Sequence, residues 1–323
     1  MKNFDLVSLG EILIDFTEVR VQGFANSLYE KNTGGAPANV AAAAAKLGAK
    51  TAFIGKLGND TLSHDALKSL QNANVETRGV KIDFEHHTTF SFVSLSENGE
   101  RSFEFMRNNS ADVNLSPDDI DTSLIENARI FHIGSLSCTA EPSRSATQEA
   151  LKCAKKNGAI ISYDPNWREN LWARKNAGIE TMKSLFQYAD IVKISAEELS
   201  LLYGANNSNT AQNILDAGAR LVCVTLGKDG VFYKTNNFQG IISIPDYKIQ
   251  TSDTTGAGDS FLGALLYRMT RRANVLDFSQ NEIESDLNFA NAAATLCVSR
   301  RGAMASLATL SEVDFLLNNR DFA

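Results

Sequence analysis

The sequence predicts an α/β fold in which a mostly parallel sheet is covered by helices on both faces. Short apolar runs at residues 128–133, 159–163, 191–194 and 220–225 are separated by segments with helical periodicity. Strands that alternate with helices form right-handed βαβ units, so they are parallel and buried on both faces. No linker or internal repeat divides the 323 residues, and we therefore expect a single domain over residues 1–323.

The N-terminal part begins with a strand predicted at residues 5–10. The carboxyl ends of parallel strands form the ligand-binding edge of an open α/β sheet. Asp15 follows this strand closely, so it is a candidate ligand-binding carboxylate, with a solvated loop residue as the alternative. Gly34 and Gly35 then form a turn that we expect to act as a hinge, with an ordinary loop as the alternative, before an alanine-rich helix that ends at Gly48.

Two segments have the alternation of short strands and lack helical periodicity. They cover residues 16–33 and 80–107. Gly23 separates two runs in the first segment, and Asn98-Gly99 in the second is a typical hairpin turn. Because an isolated hairpin is only marginally stable in water, we expect the two segments to join in a small sheet separate from the main one.

The elements between and after these segments follow the pattern of strand and helix. Residues 50–54 predict a strand, and residues 62–70 predict the helix that follows it. Helices are also predicted at residues 143–157 and 196–203, where they connect the strands of the second half. These connections support a parallel sheet with one ligand-binding edge.

Residues 253–259, Asp-Thr-Thr-Gly-Ala-Gly-Asp, form a turn of small residues that opens an apolar helix. Gly256 and Gly258 let backbone N–H groups approach a ligand, and the first N–H groups of a helix lack internal partners. Together with the helix dipole they make an anion site. Asp259 suits a base that takes a proton from an attacking hydroxyl while these groups hold the charge on a transferred phosphoryl group. The alternative is an ordinary helix cap.

Composition and charge limit the classes of partner and compartment. The formal net charge of −7 argues against a nucleic-acid surface. No apolar run approaches the roughly 20 residues of a membrane span, and the N-terminus lacks the apolar region of a signal peptide. We therefore expect no membrane partner. The cysteines lie among apolar neighbours without metal-ligand spacing, which favours free thiols in a cytoplasmic protein; they are Cys138, Cys153, Cys223 and Cys297.

Two segments carry a resemblance to a known family. Residues 253–259 resemble the C-terminal signature of the ribokinase-like carbohydrate kinases, the pfkB family. Residues 34–41, Gly-Gly-Ala-Pro-Ala-Asn-Val-Ala, resemble its second signature, with Gly48 and Gly58 at the family's spacings. The resemblance covers nearly the whole chain. It implies a ribokinase-like three-layer α/β/α fold with a small β-sheet lid, and an ATP-dependent sugar kinase.

The resemblance also implies roles for individual residues. The lid would comprise about residues 12–34 and 84–110. Asp259 would be the catalytic base, and the N–H groups of Gly256, Ala257 and Gly258 would stabilise the transferred phosphoryl group. The sugar-binding residues would be Asp15, Gly34, Gly35, Asn39, Phe92, Phe105, Arg107, Arg168 and Asp259. The nucleotide-binding residues would be Lys193, Ser195, Glu198, Thr225, Gly227, Gly230, Gly256, Ala257, Gly258 and Asn291.

Two ions and a possible assembly are implied in the same way. Glu198 would hold Mg²⁺ through water, because that ion keeps its waters tightly. The chain departs from the family at Ser195, where an asparagine is usual, and this puts direct contact there in doubt. A monovalent cation, K⁺, would lie among Asp253, Thr255, Cys297, Arg300, Gly302 and Ser306, mostly on backbone oxygens. Lids pair in dimers of many members, so a homodimer through the lid is a candidate assembly.

The substrate is implied by three further segments. Residues 10–16, 106–112 and 164–168 together look most like the corresponding runs of fructokinases. The expected reaction is therefore ATP with D-fructose, giving ADP and D-fructose 6-phosphate. Another ribokinase-like sugar or nucleoside kinase stays open as an alternative. A sugar-kinase-like scaffold without catalysis is disfavoured, because Asp259 and its glycines are present.

The strongest alternative substrate is 2-keto-3-deoxygluconate. Kinases for this sugar acid share Arg107 and Arg168 with the present chain. They typically have tyrosines at the positions of Phe92 and Phe105. Phenylalanine cannot form a hydrogen bond with the substrate through its side chain, so the comparison favours fructose.

Overall fold

The computed structural model describes residues 2–19, 26–95 and 101–319. Its strands are β1 (Phe4–Leu9), β2 (Leu13–Val19), β3 (Leu28–Gly34), β4 (Thr51–Gly58), β5 (Val75–Asp83), β6 (Phe90–Leu95), β7 (Arg101–Met106), β8 (Ala128–Gly134), β9 (Ile160–Asp164), β10 (Ile191–Ser195), β11 (Leu221–Thr225), β12 (Val231–Lys234) and β13 (Gln239–Ile242). Its helices are α1 (Ala36–Lys46), α2 (Thr61–Asn72), α3 (Thr122–Glu126), α4 (Ser143–Lys156), α5 (Lys175–Leu185), α6 (Ala196–Tyr203), α7 (Ser208–Asp216), α8 (Ala257–Thr270), α9 (Gln280–Val298) and α10 (Leu310–Asn318). The turns predicted at Gly23 and at Asn98-Gly99 lie outside the described residues.

The main sheet has nine strands in the order β13-β12-β11-β10-β9-β8-β1-β4-β5. From β5 to β11 each strand runs parallel to its neighbours, whereas β12 and β13 are antiparallel at one edge. The apolar runs predicted as strands in the second half form β8, β9, β10 and β11. The predicted mostly parallel sheet is therefore confirmed, because helices connect these strands.

Helices cover both faces of the main sheet. In β1, Val7 and Leu9 belong to a core with α3 to α7, while Leu6 belongs to a core with α1, α8, α9 and α10. On the side of Leu6, Phe53 packs in a further cluster with α1 and α2. Successive side chains of a strand point to opposite faces, so β1 is buried on both sides. The chain thus has the predicted three layers.

A second sheet, called the small sheet below, has four strands in the order β3-β2-β6-β7. Asp15, Ser91 and Phe105 stand in register across it, and Phe16 and Phe92 stand in register in the next row. Because neighbouring rows of a sheet point to opposite faces, these two sets lie on opposite sides. The prediction of a small sheet separate from the main sheet is confirmed.

Helices α1 and α8 bring the two signature segments together. A Cβ on Gly263 of α8 would lie 2.5 Å from the Cβ of Ala43 in α1, so small residues permit the close approach of the two helices. Gly48 follows α1 with φ of 103°, as expected for a glycine that ends a helix. Gly35 precedes α1 and Gly256 precedes α8. The first residues of both helices line one cavity.

The observed elements agree closely with the predicted ones, with one clear extension. α6 covers the predicted residues 196–203. β4 continues beyond the predicted residue 54 to Gly58, because residues 55–58 pair in register with β5. Within the described ranges, no helix combines the length and the apolar character needed to cross a membrane.

Candidate active site

A cavity of about 390 Å³ lies between the small sheet and the carboxyl ends of the main strands. Both sheets and the N-termini of α1 and α8 contribute to its walls. It is lined by Glu11, Leu13, Asp15, Gly35, Ala36, Asn39, Phe103, Phe105, Leu136, Asn166, Arg168, Lys193, Thr254, Thr255, Gly256, Ala257, Gly258 and Asp259. This position is the one expected for a ligand site in an open α/β sheet.

The anion turn predicted at the start of α8 has the expected backbone. Gly256 adopts a left-handed conformation with φ of 79°, and the helix begins at the next residue. A side chain at this position would be strained in that conformation. The Ala257 N–H donates within the turn to the Thr254 carbonyl (3.3 Å), so one of the three predicted amides is already engaged. The positive end of the helix dipole points into the cavity at this turn.

Asp259 lies in the first turn of α8, and Asn39 of α1 orients it. Asn39 Nδ2 donates a hydrogen bond to Asp259 Oδ2 at 2.7 Å. Burial raises the pKa of Asp259 to about 6, and the nearby charge of Asp164 adds to this rise. The charge of Lys193 and the hydrogen bond from Asn39 oppose it. A carboxylate with a pKa just below neutrality is ionised at neutral pH and accepts a proton readily, as a general base must.

A buried ion pair stands beside the anion turn. Lys193 Nζ lies 2.9 Å from Asp164 Oδ2, and both side chains are buried. Burial lowers the pKa of Lys193, but the charges of Asp164, Glu198 and Asp259 outweigh this effect, so its pKa lies above the ordinary value. A Cβ on Gly258 would lie 2.6 Å from Lys193 Nζ. Because Gly258 has no side chain, the ammonium group of Lys193 can lie directly against the turn, where it adds positive charge for an anion.

The small sheet and the turn before α1 form the other wall of the cavity. Ser91 donates a short hydrogen bond to Asp15 Oδ1. A Cβ on Gly34 would lie 2.6 Å from Asp15 Oδ2, and a Cβ on Gly35 would lie 2.4 Å from the Glu11 carbonyl oxygen. These glycines therefore allow a close approach of backbone and carboxylate. The wall offers a fixed acceptor for a polyhydroxyl ligand.

Two aromatic rings and a cation complete this wall. Phe103 and Phe105 stack with ring centroids 5.9 Å apart. The Arg168 guanidinium lies 6.0 Å from the centroid of the Phe103 ring, and its Nη1 donates to the Trp167 carbonyl at 2.8 Å. Cation–π contact holds such a guanidinium over a ring. Arg168 and Phe105 both line the cavity, and their predicted sugar contacts stay predictions.

Phe92 does not line the cavity, and this corrects the prediction that it contacts the sugar. Its ring packs with those of Phe16, Tyr29 and Phe90 on the opposite face of the small sheet. The alternation of strand side chains explains the difference. Phe103, on the neighbouring strand, faces the cavity instead.

Arg107 also lies behind the cavity wall, which corrects the prediction of a direct sugar contact. Its Nε donates to Asp112 Oδ2 (2.7 Å), its Nη1 to Thr139 Oγ1 (2.7 Å) and its Nη2 to the Leu136 carbonyl (2.9 Å). Each nitrogen of the buried guanidinium is thus engaged within the protein. Arg107 supports the wall through Leu136, which itself lines the cavity.

Ser195 and Glu198 form a capping box at the start of α6. Ser195 Oγ accepts the Glu198 N–H (3.1 Å), and Glu198 Oε2 accepts the Ser195 N–H (2.8 Å). Glu198 Oε1 accepts the Trp167 N–H at 2.6 Å. Both oxygens of Glu198 therefore hold backbone amides, and neither residue is part of the cavity lining. Their predicted nucleotide and magnesium roles stay predictions.

Four residues predicted to bind the nucleotide lie outside the cavity lining but come together: Thr225, Gly227, Gly230 and Asn291. Gly227 and Gly230 have φ of 60° and 105° in the turn that follows Thr225. A Cβ on Gly230 would lie 2.0 Å from the Ile242 carbonyl oxygen, and Asn291 Nδ2 donates to the same oxygen at 3.2 Å. The hairpin after β11 and the helix α9 therefore meet at the end of β13.

The residues predicted around a monovalent cation come together where two loops meet the end of α9. Asp253 Oδ1 accepts the Thr255 N–H (2.7 Å), and Asp253 Oδ2 accepts the Gly302 N–H (3.1 Å). Cys297 Sγ lies 3.7 Å from the Thr255 carbonyl oxygen and 3.0 Å from Ser306 Oγ. In the described parts of the chain, no three His, Cys, Asp or Glu side chains form a metal cluster. The predicted role of these residues around a monovalent cation stays a prediction.

One predicted member of this cluster points elsewhere. Arg300 Nη2 lies 2.5 Å from Glu312 Oε1, so its side chain pairs with α10. Because a guanidinium has no oxygen, the backbone carbonyl of Arg300 is its only candidate ligand for a cation, and backbone oxygens are the ligands that were predicted. Gly302 has φ of 82°, and Asn32 of the small sheet stands where its Cβ would lie.

Several lining residues were absent from the predicted set. They are Glu11, Leu13, Ala36, Phe103, Leu136, Asn166 and Thr254. The period of two from Phe105 was a signal for Phe103, and an acid directly after a strand was a signal for Glu11. Asn166 has φ of 47°, which places it in a tight turn that periodicity does not reveal.

Comparison with known proteins agrees with this geometry. The family model described as pfkB family carbohydrate kinase matches residues 3–310. The chain is 41% identical over 308 residues to a probable fructokinase-2 of Arabidopsis thaliana, covering 94% of this chain and 93% of that protein. It is 39% identical over 317 residues to fructokinase-2 of Zea mays, covering 97% and 93%.

Solved structures of high similarity include two bacterial fructokinases. One is a fructokinase with bound ATP from Xylella fastidiosa, with a TM-score of 0.91, 32% identity and coverage of 99% of both chains. Another is a fructokinase double mutant from Vibrio cholerae O395 in a fructose-, ADP- and potassium-bound form, with a TM-score of 0.86, 34% identity and coverage of 97% of both chains. The ribokinase-like fold and the catalytic class follow from these matches: the chain belongs to the pfkB family of carbohydrate kinases.

Proposed function

We propose that this sugar kinase transfers the γ-phosphoryl group of ATP to D-fructose, giving ADP and D-fructose 6-phosphate. Asp259 lines the same cavity as the anion turn of α8 and Asp15 of the small sheet, and this observation carries the proposal. That arrangement leaves room for a sugar hydroxyl beside a base and beside donors for a phosphoryl group. The relatives and solved structures named fructokinase support the choice of sugar.

Asp259 acts as the general base in this proposal. Its carboxylate takes the proton of the attacking hydroxyl, and Asn39 fixes the orientation of this carboxylate by its hydrogen bond to Oδ2. Lys193 and the N-terminus of α8 stabilise the negative charge of the transferred group, Lys193 through its position against Gly258. Catalysis of phosphoryl transfer rests mostly on positioning and charge stabilisation, and these groups contribute to both.

Fructose is favoured over 2-keto-3-deoxygluconate by two features of the wall. Phe103 and Phe105 offer apolar faces without a hydroxyl donor. Arg107 donates hydrogen bonds to Asp112, Thr139 and Leu136, and it lies outside the cavity lining. Its guanidinium is therefore not placed to bind a sugar carboxylate through two nitrogens. Arg168 and Lys193 are cations of the cavity lining, and Lys193 is paired with Asp164. A neutral hexose suits this wall better than a sugar acid.

Two ions belong to the proposal. Mg²⁺ would neutralise charge on the nucleotide phosphates, and Glu198 would act on it through water, because each carboxylate oxygen can accept more than one hydrogen bond. K⁺ would rest on carbonyl oxygens of the loops that Asp253 joins. The convergence of Thr255, Cys297, Gly302 and Ser306 supports this second site.

The whole chain, residues 1–323, would act as one kinase domain, with the small sheet as its lid. On the outer face of that sheet, Phe16, Phe90 and Phe92 form an aromatic cluster with Tyr29, which is 44% exposed. Apolar clusters that remain exposed mark interaction sites, and we place a homodimer contact here. The cysteines are free, which supports a reducing, cytoplasmic setting.

A coupled ADP-release assay tests the substrate. Fructose, 2-keto-3-deoxygluconate, ribose and adenosine are compared with ATP as donor, and fructose should have the highest kcat/KM. Asp259→Asn, which removes the base, should lower kcat by about 10²-fold to 10⁴-fold. A higher kcat/KM for the sugar acid would overturn the choice of fructose. Full activity of the variant would overturn the role of Asp259 for any sugar.

A further inference from the structure

Glu11 is a buried carboxylate at the end of β1 that the proposed reaction does not use. Its side chain is 2% exposed. Oε1 accepts the Ala36 N–H at 3.1 Å, while Oε2 is buried without a hydrogen-bond partner among the described residues. A buried carboxylate oxygen that lacks a partner costs free energy. A residue kept under that cost is expected to serve the site.

The contact of Glu11 lies at the N-terminus of α1. Ala36 is the first residue of that helix, and its N-cap is Gly35, which offers no side chain to the unpaired amides. The first turn of α1 also contains no acidic residue. Glu11 therefore supplies from another element the oxygen that a capping side chain normally provides, at the positive end of the helix dipole.

One helical turn connects this contact to the proposed catalytic base. The Gly35 carbonyl accepts the Asn39 N–H at 2.8 Å, so Asn39 completes the turn that Ala36 begins. Asn39 Nδ2 then donates to Asp259 Oδ2 at 2.7 Å. Residues 36–45 are buried throughout, and Ala43 packs against Gly263 of α8. A shift of the N-terminus of α1 would thus be transmitted to Asn39.

We propose that Glu11 is a positioning residue, which holds the N-terminus of α1 so that Asn39 orients Asp259. It acts through the Ala36 N–H and needs no contact with sugar or nucleotide. The inference rests on the proposed role of Asp259 as the base. Small displacements of a catalytic group have large effects on rate, on the order of 10²-fold for about 1 Å.

Steady-state kinetics distinguish a positioning role of Glu11 from two other roles. A residue that binds the sugar directly would change KM for fructose and leave kcat nearly unchanged. A residue that only stabilises the fold would change the melting temperature and leave both constants unchanged. A positioning residue lowers kcat, leaves KM for ATP unchanged, and acts only while Asn39 is present.

The variants Glu11→Gln, Glu11→Asp and Glu11→Ala separate these roles. Glutamine keeps an acceptor at the same reach, so we expect kcat within about threefold of the wild type. Aspartate is shorter by one methylene and alanine has no acceptor, so both should lower kcat by about 10-fold to 10²-fold. Glu11→Asp carries the test if Glu11→Ala does not fold, which circular dichroism and the melting temperature will show.

A double-mutant cycle with Asn39→Ala tests the route through α1. In the Asn39→Ala background, the substitution Glu11→Asp should change kcat by less than about twofold, because the link to Asp259 is already cut. Equal losses in both backgrounds, or an effect on KM for fructose alone, would overturn the proposal. Asp190→Asn is the matched control, since Asp190 Oδ2 also accepts a backbone N–H, that of Ile161 (2.8 Å), away from the cavity lining.

The same experiment keeps this inference apart from the proposed function. If Asp259→Asn retains normal turnover, the role of the base fails and the inference fails with it. If Asp259→Asn is inactive while Glu11→Asp and Glu11→Ala keep the wild-type kcat, the inference alone fails.

Discussion

Asn39 and Asp259, which are 220 positions apart in the chain, share a hydrogen bond of 2.7 Å between Nδ2 and Oδ2. The first belongs to α1 and the second to α8, so each signature segment supplies one partner. The contact exists because small residues let the two helices pack closely, as at Ala43 and Gly263. The two signatures thus act as one unit, in which one orients the carboxylate of the other.

The first prediction concerns the pH dependence of kcat/KM. Burial raises the pKa of Asp259 to about 6, and a base must be ionised to act. Activity should therefore be constant above the pKa and fall about tenfold for each pH unit below it. Coupled ADP release from about pH 5 to about pH 8 measures this profile. A rate that stays constant through this range contradicts the role of Asp259.

The variant Asn39→Asp tests the same profile, because it should raise the pKa of Asp259. A second carboxylate beside Asp259 replaces a donor by a like charge, which disfavours ionisation of the pair. The acidic limb of the profile should therefore move to higher pH. Burial also raises the pKa of Glu11, to about 7, so Glu11→Gln is measured in parallel to exclude its titration from the assignment.

The second prediction concerns the buried pair of Lys193 and Asp164. Lys193→Met removes the cation beside the anion turn, and kcat should fall by about 10²-fold to 10³-fold. It also leaves Asp164 as an unpaired buried charge, which should destabilise the fold by about 3–5 kcal/mol in urea unfolding. Full activity of this variant would remove Lys193 from the site.

The double variant Lys193→Met with Asp164→Asn separates stability from catalysis. Replacing both charges removes the unpaired group, so most of the lost stability should return. Catalysis should stay low, because the cation at Gly258 is still absent. Recovery of activity together with stability would show that Lys193 contributes only to folding.

Much of the fold could be predicted because local patterns determine it. The apolar runs of β8 to β11 alternate with helices, and that order alone implies a parallel sheet. Gly48, with φ of 103°, ends α1 where a glycine was expected. The anion turn was predictable for a similar reason, since Gly256 and Gly258 mark a backbone that approaches a ligand.

The orientation of individual side chains was less predictable. Phe92 and Phe105 both lie in alternating strands, but only the register of β6 with β7 shows that they point to opposite faces. Arg107 follows β7 as predicted, yet Asp112 and Leu136 of later segments take up its donors. Tertiary partners of this kind leave no periodic signal in the sequence, so the wall behind the cavity could not be predicted.

The third prediction compares Phe103 and Phe92, which lie on neighbouring strands and opposite faces of the small sheet. Phe103→Ala removes a ring from the cavity wall and loosens Arg168, whose guanidinium lies 6.0 Å from the centroid of that ring. We expect KM for fructose to rise by about tenfold or more, since losing an aromatic contact costs about 1–2 kcal/mol. Steady-state kinetics with fructose measures the change.

Phe92→Ala is the matched control for that variant. Its ring contacts Phe16, Tyr29 and Phe90 on the outer face, so KM for fructose should change by less than about twofold. If the homodimer forms through this face, light scattering should show weaker association for Phe92→Ala than for Phe103→Ala. Equal effects of the two variants on KM would contradict the assignment of the faces.

The fourth prediction concerns the carboxylate of Asp253, which joins the loops at Thr255 and Gly302 (2.7 and 3.1 Å). Replacing K⁺ by tetramethylammonium at constant ionic strength should lower kcat by about tenfold or more, because the anion turn would lose the ion proposed to shape it. Asp253→Asn turns an NH₂ group toward one of the two amides and releases one loop, so this variant should be slow even in K⁺. Titration of kcat with KCl measures both effects, with Asp65→Asn, whose partner is Lys31, as the control. Equal rates in the two cations would exclude a functional potassium site, since an ion that shapes the turn cannot be replaced by one too large for it.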